Sequence, residues 1–147
     1  MKIALRTLLA VAAGMAVAFV LVIAVELFSA VVHPVTPGST GTMDEMCEHV
    51  ARYPHWVLGV AVLAWSATAF VSTWVATRIG NRLAGITVIL ILTSAIVFNV
   101  SKLPYAMWFK VVMLSCFPVA CYLGATRGVP MSRLAADSNT GERGHGL

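Results

Sequence analysis

Four stretches of the chain, residues 7–32, 56–77, 83–100 and 105–125, run almost without charge, interrupted only by Glu26 and Lys110. Each is long enough to cross a hydrocarbon layer, which takes about 20 helical residues. Together they consume more than half of the 147 residues and leave little for a soluble core. Composition agrees: 59% of residues are hydrophobic, 11% are charged and the mean hydropathy is +0.87, against roughly 25% charged residues in an ordinary soluble domain. Short links at 78–82 and 101–104 make the helices they join antiparallel neighbours. The expected fold is therefore all-α, an integral-membrane four-helix up-down bundle. It occupies residues 1–129, with an outer loop at 33–55, and is followed at 130–147 by a polar tail with the profile of a disordered cytoplasmic end.

The first stretch follows Lys2 and Arg6 like the start of an export signal. It is longer than the roughly 7 to 15 residues of a cleaved signal core, and reads as a retained anchor. Lys2, Arg6, Arg78, Arg82, Arg127, Arg133 and Arg143 fall on one side, against Arg52, Lys102 and Lys110 on the other. Positive residues stay inside, so both termini are expected in the cytoplasm and the chain in a bacterial inner membrane. Trp56, Tyr105, Trp108 and Phe109 would form an outer aromatic belt, with Trp74 and Tyr122 near the inner surface. The net charge of +4 is spread singly along the ends of the apolar stretches. It points to the lipid bilayer as partner and not to nucleic acid.

Helices in lipid associate through small residues and interhelical hydrogen bonds. Gly59, Ser66, Thr73 and Gly80 recur at intervals of seven in the second stretch, a helix-packing seam on one face. Thr87, Ser94 and Ser101 repeat the device in the third, and Ala10, Gly14 and Ala18 form a small-residue ladder in the first. Such faces serve a neighbour in the same chain, a second copy or another membrane subunit equally well. Pro118, mid-helix, predicts a kink in the fourth.

In the outer loop, His33-Pro34 and Pro37-Gly38 end the first helix in a turn. Thr42-Met43-Asp44-Glu45 then has the form of a capping box, predicting a short helix from Met43 to about Arg52. Met43, Met46, Cys47 and Val50 make its apolar side, that of a helix resting at the interface. Methionine and cysteine sulfurs near His49 and His55 suit a soft metal ion, and Glu45 and His49 stand four apart. No third ligand follows at a defined spacing, so neither a metal site nor any cofactor is expected. Cys47, Cys116 and Cys121 have no disulfide or zinc spacing.

Glu26 is the most informative residue, because a carboxylate inside a transmembrane segment is costly and faces protein or water. It lies two turns deeper than His33, about 10 Å at 1.5 Å per residue. Asn99 and Lys102 fall at a comparable depth near the outer end of the third stretch. Glu26, His33, Asn99 and Lys102, joined by Ser29, are thus the candidate polar or ion-binding cluster; the plainer reading is an interhelical clamp. No catalytic motif is present: G-x-S-x-G, H-E-x-x-H and a phosphate-binding glycine loop are all missing.

The order Glu26, His33-Pro34-x-x-Pro37, a short acidic helix, Ala76-Thr77-Arg78, Asn99, Pro104, Trp108-Phe109, Pro118 and Gly124 resembles a family of small four-helix bacterial inner-membrane proteins with no assigned activity. The likeness spans about residues 8–127, and Lys102 and Lys110 depart from it. It implies the four-span architecture and no catalytic residue. The expected function is that of a non-enzymatic membrane protein acting through helix association, as a self-assembling homo-oligomer or an accessory subunit. The alternative is a small oligomeric transporter or channel using Glu26 in the outer-half polar cluster.

Overall fold

The computed structural model describes residues 2–35, 38 and 40–129. The expected tail at 130–147 and Pro37 of the expected turn lie outside the described residues. The helices are α1 (Lys2–Val32), α2 (Met43–Ala51), α3 (His55–Ile79), α4 (Arg82–Lys102) and α5 (Met107–Arg127), with no strand among the described residues. Four of them, all but α2, are long and apolar enough to cross a membrane, the profile of a multi-pass membrane protein. Large apolar side chains cover the outside, among them Leu63 at 72% and Phe19 at 67% exposure, an apolar surface of the kind that marks contact with lipid or another protein.

Helix ends follow local chemistry more closely than hydropathy. α1 begins at Lys2, five residues before the uncharged stretch, because lysine and arginine break an apolar run without breaking a helix. Asn81 caps α4, its side chain accepting from the Ala84 N–H at 3.0 Å. Pro104 holds Leu103 extended (φ −104°, ψ 144°), so α5 starts only at Met107; it runs through Pro118 to Arg127. α2 starts with the capping box in place. The Glu45 carboxylate accepts from the backbone N–H groups of Thr40, Gly41 and Thr42 at 2.8, 2.9 and 3.3 Å, and the Thr42 hydroxyl accepts from Glu45 N–H. Gly38 and Gly41, at φ +90° and +73°, turn the chain into this helix in a conformation other residues rarely adopt.

α3 is the centre of the packing, touching α5 most extensively, then α1, then α4, while α4 also meets α5 and α1. The tightest contacts gather where α3 approaches Arg78. Ser72, Thr73, Ala76 and Thr77 are buried there, and their hydroxyls donate to carbonyls one turn back, Ser72 to Thr68 and Thr73 to Ala69 at 2.7 Å each. With their donors satisfied inside the helix, these small residues present little bulk. Thr73 also reaches the Cys121 carbonyl of α5 at 3.1 Å.

Glycines face this string from three helices. A Cβ on Gly14 of α1 would lie 2.9 Å from both Ala76 Cβ and the Ser72 carbonyl, and one on Gly124 of α5 would run into the Phe70 carbonyl and Thr73 Oγ1. Gly85 of α4 meets Thr77, and Gly80 at the end of α3 meets Ala10. The Ala10, Gly14 and Ala18 ladder is buried, and it is α3 of the same chain that fills it. Arg6 Nε donates to the Ile79 carbonyl at 3.0 Å, and Asn81 Nδ2 to Thr7 Oγ1 at 2.9 Å, tying the start of α1 to the α3–α4 turn.

The seven-residue seam divides. Thr73 and Gly80 lie in close contacts, but a side chain at Gly59 would meet nothing within 4 Å. Ser66 has a buried hydroxyl without a hydrogen-bond partner. On α4 the expected small-residue face is the exposed one: Thr87, Ser94 and Ser101 point away from the core, which takes Ala84, Val88, Leu92, Ile96 and Val100. Thr87 and Ser101 donate instead to Leu83 and Val97 carbonyls at 2.9 and 2.6 Å. A hydroxyl satisfied that way does not need a neighbouring helix.

Candidate functional site

α1 and α4 meet near Gly14 and Val88. Glu26 lies 12 residues further along α1, and Asn99 lies 11 residues beyond Val88 on α4, so both rise about 16 to 18 Å above that contact at 1.5 Å per residue. At this level, toward the end of the molecule that carries α2, the helices enclose a cavity of about 520 Å³. Pockets that hold small ligands run from about 300 to 1,000 Å³.

Every element contributes to its wall. α1 supplies Glu26 and Ser29, and α4 supplies Phe98, Asn99 and Lys102. α3 gives an apolar floor of Val57, Leu58, Ala61 and Trp65, and Tyr105 and Phe109 close the α5 side. α2 lies against the cavity with Met43, Met46, His49 and Val50, followed by Tyr53. Three of the four residues expected to cluster thus share one cavity. Ser29, expected beside them, is there too.

The fourth, His33, does not line the cavity. Its ring stacks on His49 of α2, centroids 4.5 Å apart and planes 26° from parallel, and lies 4.8 Å from the Tyr53 ring. His49 in turn meets Tyr53 edge-on at 5.3 Å. His33 Nε2 is buried without a hydrogen-bond partner. The three rings join the end of α1 to α2 and form one edge of the site. Burial, then the neighbouring His33 and Arg52, lowers the His49 pKa below its ordinary value of 6.5, so the stack disfavours the charged form of His49.

The charges of the cavity are not neutralised by each other. Glu48 and Arg52, both exposed on α2, form the one ion pair found among the described residues, so Glu26 and Lys102 are not joined. The Glu26 carboxylate is near enough to Tyr53 to act on it: burial first, then Glu26, raises the Tyr53 phenol above its ordinary value, with the Ser29 hydroxyl acting the other way. Lys102 extends its ammonium over the Phe98 ring, 5.8 Å from the centroid. Glu26 and Lys102 are both exposed, so they stand at the margin of the cavity, and Asn99 and Ser29 are half-buried within it.

Glu45, paired by spacing with His49 as a candidate metal ligand, commits its carboxylate to the backbone of residues 40–42. No three His, Cys, Asp or Glu side chains converge among the described residues. What the sequence pattern misses is the aromatic wall. Tyr53, Trp65 and Tyr105 come from three separate segments, and Tyr105 reads in the sequence as a membrane-surface anchor. Trp65, nine residues from Trp56, is the available signal, being too deep in its span for an interfacial belt. The chain matches no family model, no curated protein and no solved structure, which leaves the chemistry of this cavity as the guide to its function.

Proposed function

We propose that the chain is a non-enzymatic, multi-pass protein of a bacterial inner membrane that binds a small ligand in the cavity, as a carrier or membrane receptor with Glu26 as its ionic contact. The observation that carries this reading is a ligand-sized cavity in which a carboxylate and an ammonium face a shared space without pairing. Intramembrane ionisable groups mark substrate or ion pathways. The basic residues Arg6, Arg78, Arg82 and Arg127 support an orientation with that end in the cytoplasm and the cavity toward the outer leaflet. The test is a thermal-shift screen of purified protein against cations, anions, zwitterions and neutral solutes, with Glu26→Gln in parallel. At least one class is expected to stabilise wild type and to lose its effect in the variant; a panel with no such class removes the reading.

Helix association is the second reading. Most small residues are used within the chain, but Gly59 keeps an open face, where a side chain would meet nothing within 4 Å. If that face serves a second helix, Gly59→Leu should reduce crosslinked oligomers in native membranes while leaving ligand stabilisation intact. Unchanged crosslinking would end this reading.

A further inference from the structure

The cavity presents opposite charges from different helices, Glu26 from α1 and Lys102 from α4, and the two do not pair. A singly charged ligand can answer only one of them: a cation held by Glu26 leaves the Lys102 ammonium unpaired in the same lining, and an anion held by Lys102 leaves the Glu26 carboxylate unpaired. A ligand carrying both signs satisfies both residues at once. Neutral polar groups stand beside each charge and can complete its contacts, the Asn99 amide next to Lys102 on α4 and the Ser29 hydroxyl next to Glu26 on α1.

The rest of the lining is apolar and aromatic. Tyr53, Trp65, Phe98, Tyr105 and Phe109 offer ring faces, which attract ammonium groups and also cover hydrocarbon. The chain supplies its own example in the Lys102 ammonium over Phe98. Among the described residues, Glu26 and Lys102 are the lining's only carboxylate and ammonium, and burial, with His33 and Arg52 beside it, disfavours a charge on His49. Leu58, Ala61 and Trp65 below have no polar partner to offer except the Trp65 N–H, so what reaches them is apolar.

Resting on the reading of the cavity as a ligand site, we infer that its ligand is an amphipathic zwitterion, with an ammonium held by Glu26 among the tyrosine rings, an anionic group held by Lys102 and Asn99, and an apolar body on Trp65. Two sources carry this chemistry: a free apolar amino acid, and the headgroup of a zwitterionic phospholipid.

The test uses the full chain in phosphatidylglycerol nanodiscs, which hold no zwitterionic lipid, and follows Trp65 emission in a Trp56→Phe, Trp74→Phe, Trp108→Phe background. The probes are L-leucine, isopentylamine and 4-methylpentanoate, which share an apolar body and differ in charge, and phosphatidylethanolamine added to the discs. A zwitterion is expected to bind about tenfold more tightly than either singly charged probe. Saturation by L-leucine identifies a free ligand, and saturation by phosphatidylethanolamine alone identifies a membrane-borne one. Lys102→Met and Glu26→Gln should each weaken zwitterion binding about tenfold, and Lys102→Arg should restore it. Lys102 is exposed at the last residue of its helix, so its variants report on binding without a folding defect. If isopentylamine binds as tightly as the zwitterions and Lys102→Met strengthens it, the inference falls and the ligand-binding reading stands. If no probe of any charge shifts Trp65 or the melting temperature, both fall.

Discussion

Thr73 shows how one side chain serves two purposes in this fold. Its hydroxyl donates within α3 and reaches the Cys121 carbonyl of α5, and its small size leaves room for Gly124 beside it. The pair fixes the distance between α3 and α5. A methyl group at Gly124 would run into the Phe70 carbonyl and Thr73 Oγ1, backbone on one side and a committed hydroxyl on the other, so neither can yield. Gly124→Ala is expected to destabilise the protein by about 1–3 kcal/mol, the usual cost of overpacking. Gly59→Ala, which meets nothing, should be neutral or slightly stabilising, since alanine is the better helix former by about 1 kcal/mol. Thermal unfolding in detergent compares them directly, and equal melting temperatures would contradict the packing described for α5. At this scale the sequence is an uneven guide. Glu26, Asn99 and Lys102 can be brought together by counting depth alone, because α1 and α4 meet near Gly14 and Val88 and rise in step from there. His33 cannot, because its ring belongs to a stack whose other members arrive on α2 and just after it.

α2 is the element least secured by its own backbone. No helix approaches it closely along its length among the described residues, and its attachment consists of buried Val50 and the His33, His49 and Tyr53 rings. The groups facing His49 are His33, Arg52 and Tyr53, with Glu26 nearby across Tyr53. Because the docked His49 has a lowered pKa, the docked helix holds fewer protons than a released one. The His49 contribution to docking is present in full above the ordinary histidine value of 6.5 and weakens as pH falls from there toward the lowered value. A spin label on Cys47, in a Cys116→Ala, Cys121→Ala background, should become more mobile over that range. Replacing His33 and His49 by Phe keeps the rings and removes the charges, and should flatten the response. A label whose mobility is the same at about pH 5 and about pH 8 in wild type, on either side of the ordinary histidine range, would mean that the stack does not hold the helix. The existence of α2 is plain from Thr42 and Glu45, since a capping box is a local signal. Its position is not, because an amphipathic helix shows which side is apolar and not what that side covers.

At the scale of the whole molecule the four long helices are evident from the sequence, since length and lack of charge suffice to define a span. How they pack is not, because a serine or threonine in an apolar helix satisfies itself as readily as it marks a contact, as Thr87 and Ser101 do. The two ends of the molecule differ in charge. Arg6, Arg78, Arg82 and Arg127 gather at one end with no acidic residue close to them in sequence, whereas Arg52, Lys102 and Lys110 at the other are offset by Glu26, Asp44, Glu45 and Glu48. In the proposed orientation the uncompensated basic end faces the cytoplasm, with α2 and the cavity toward the opposite face. A membrane-impermeant maleimide applied to intact spheroplasts should therefore label Cys47 on α2. A cysteine placed at Asn81, in the α3–α4 turn and with the three native cysteines removed, should react only after permeabilisation. Labelling of the Asn81 position in sealed cells would reverse the orientation, and the cavity would then draw its ligand from the cytoplasmic side.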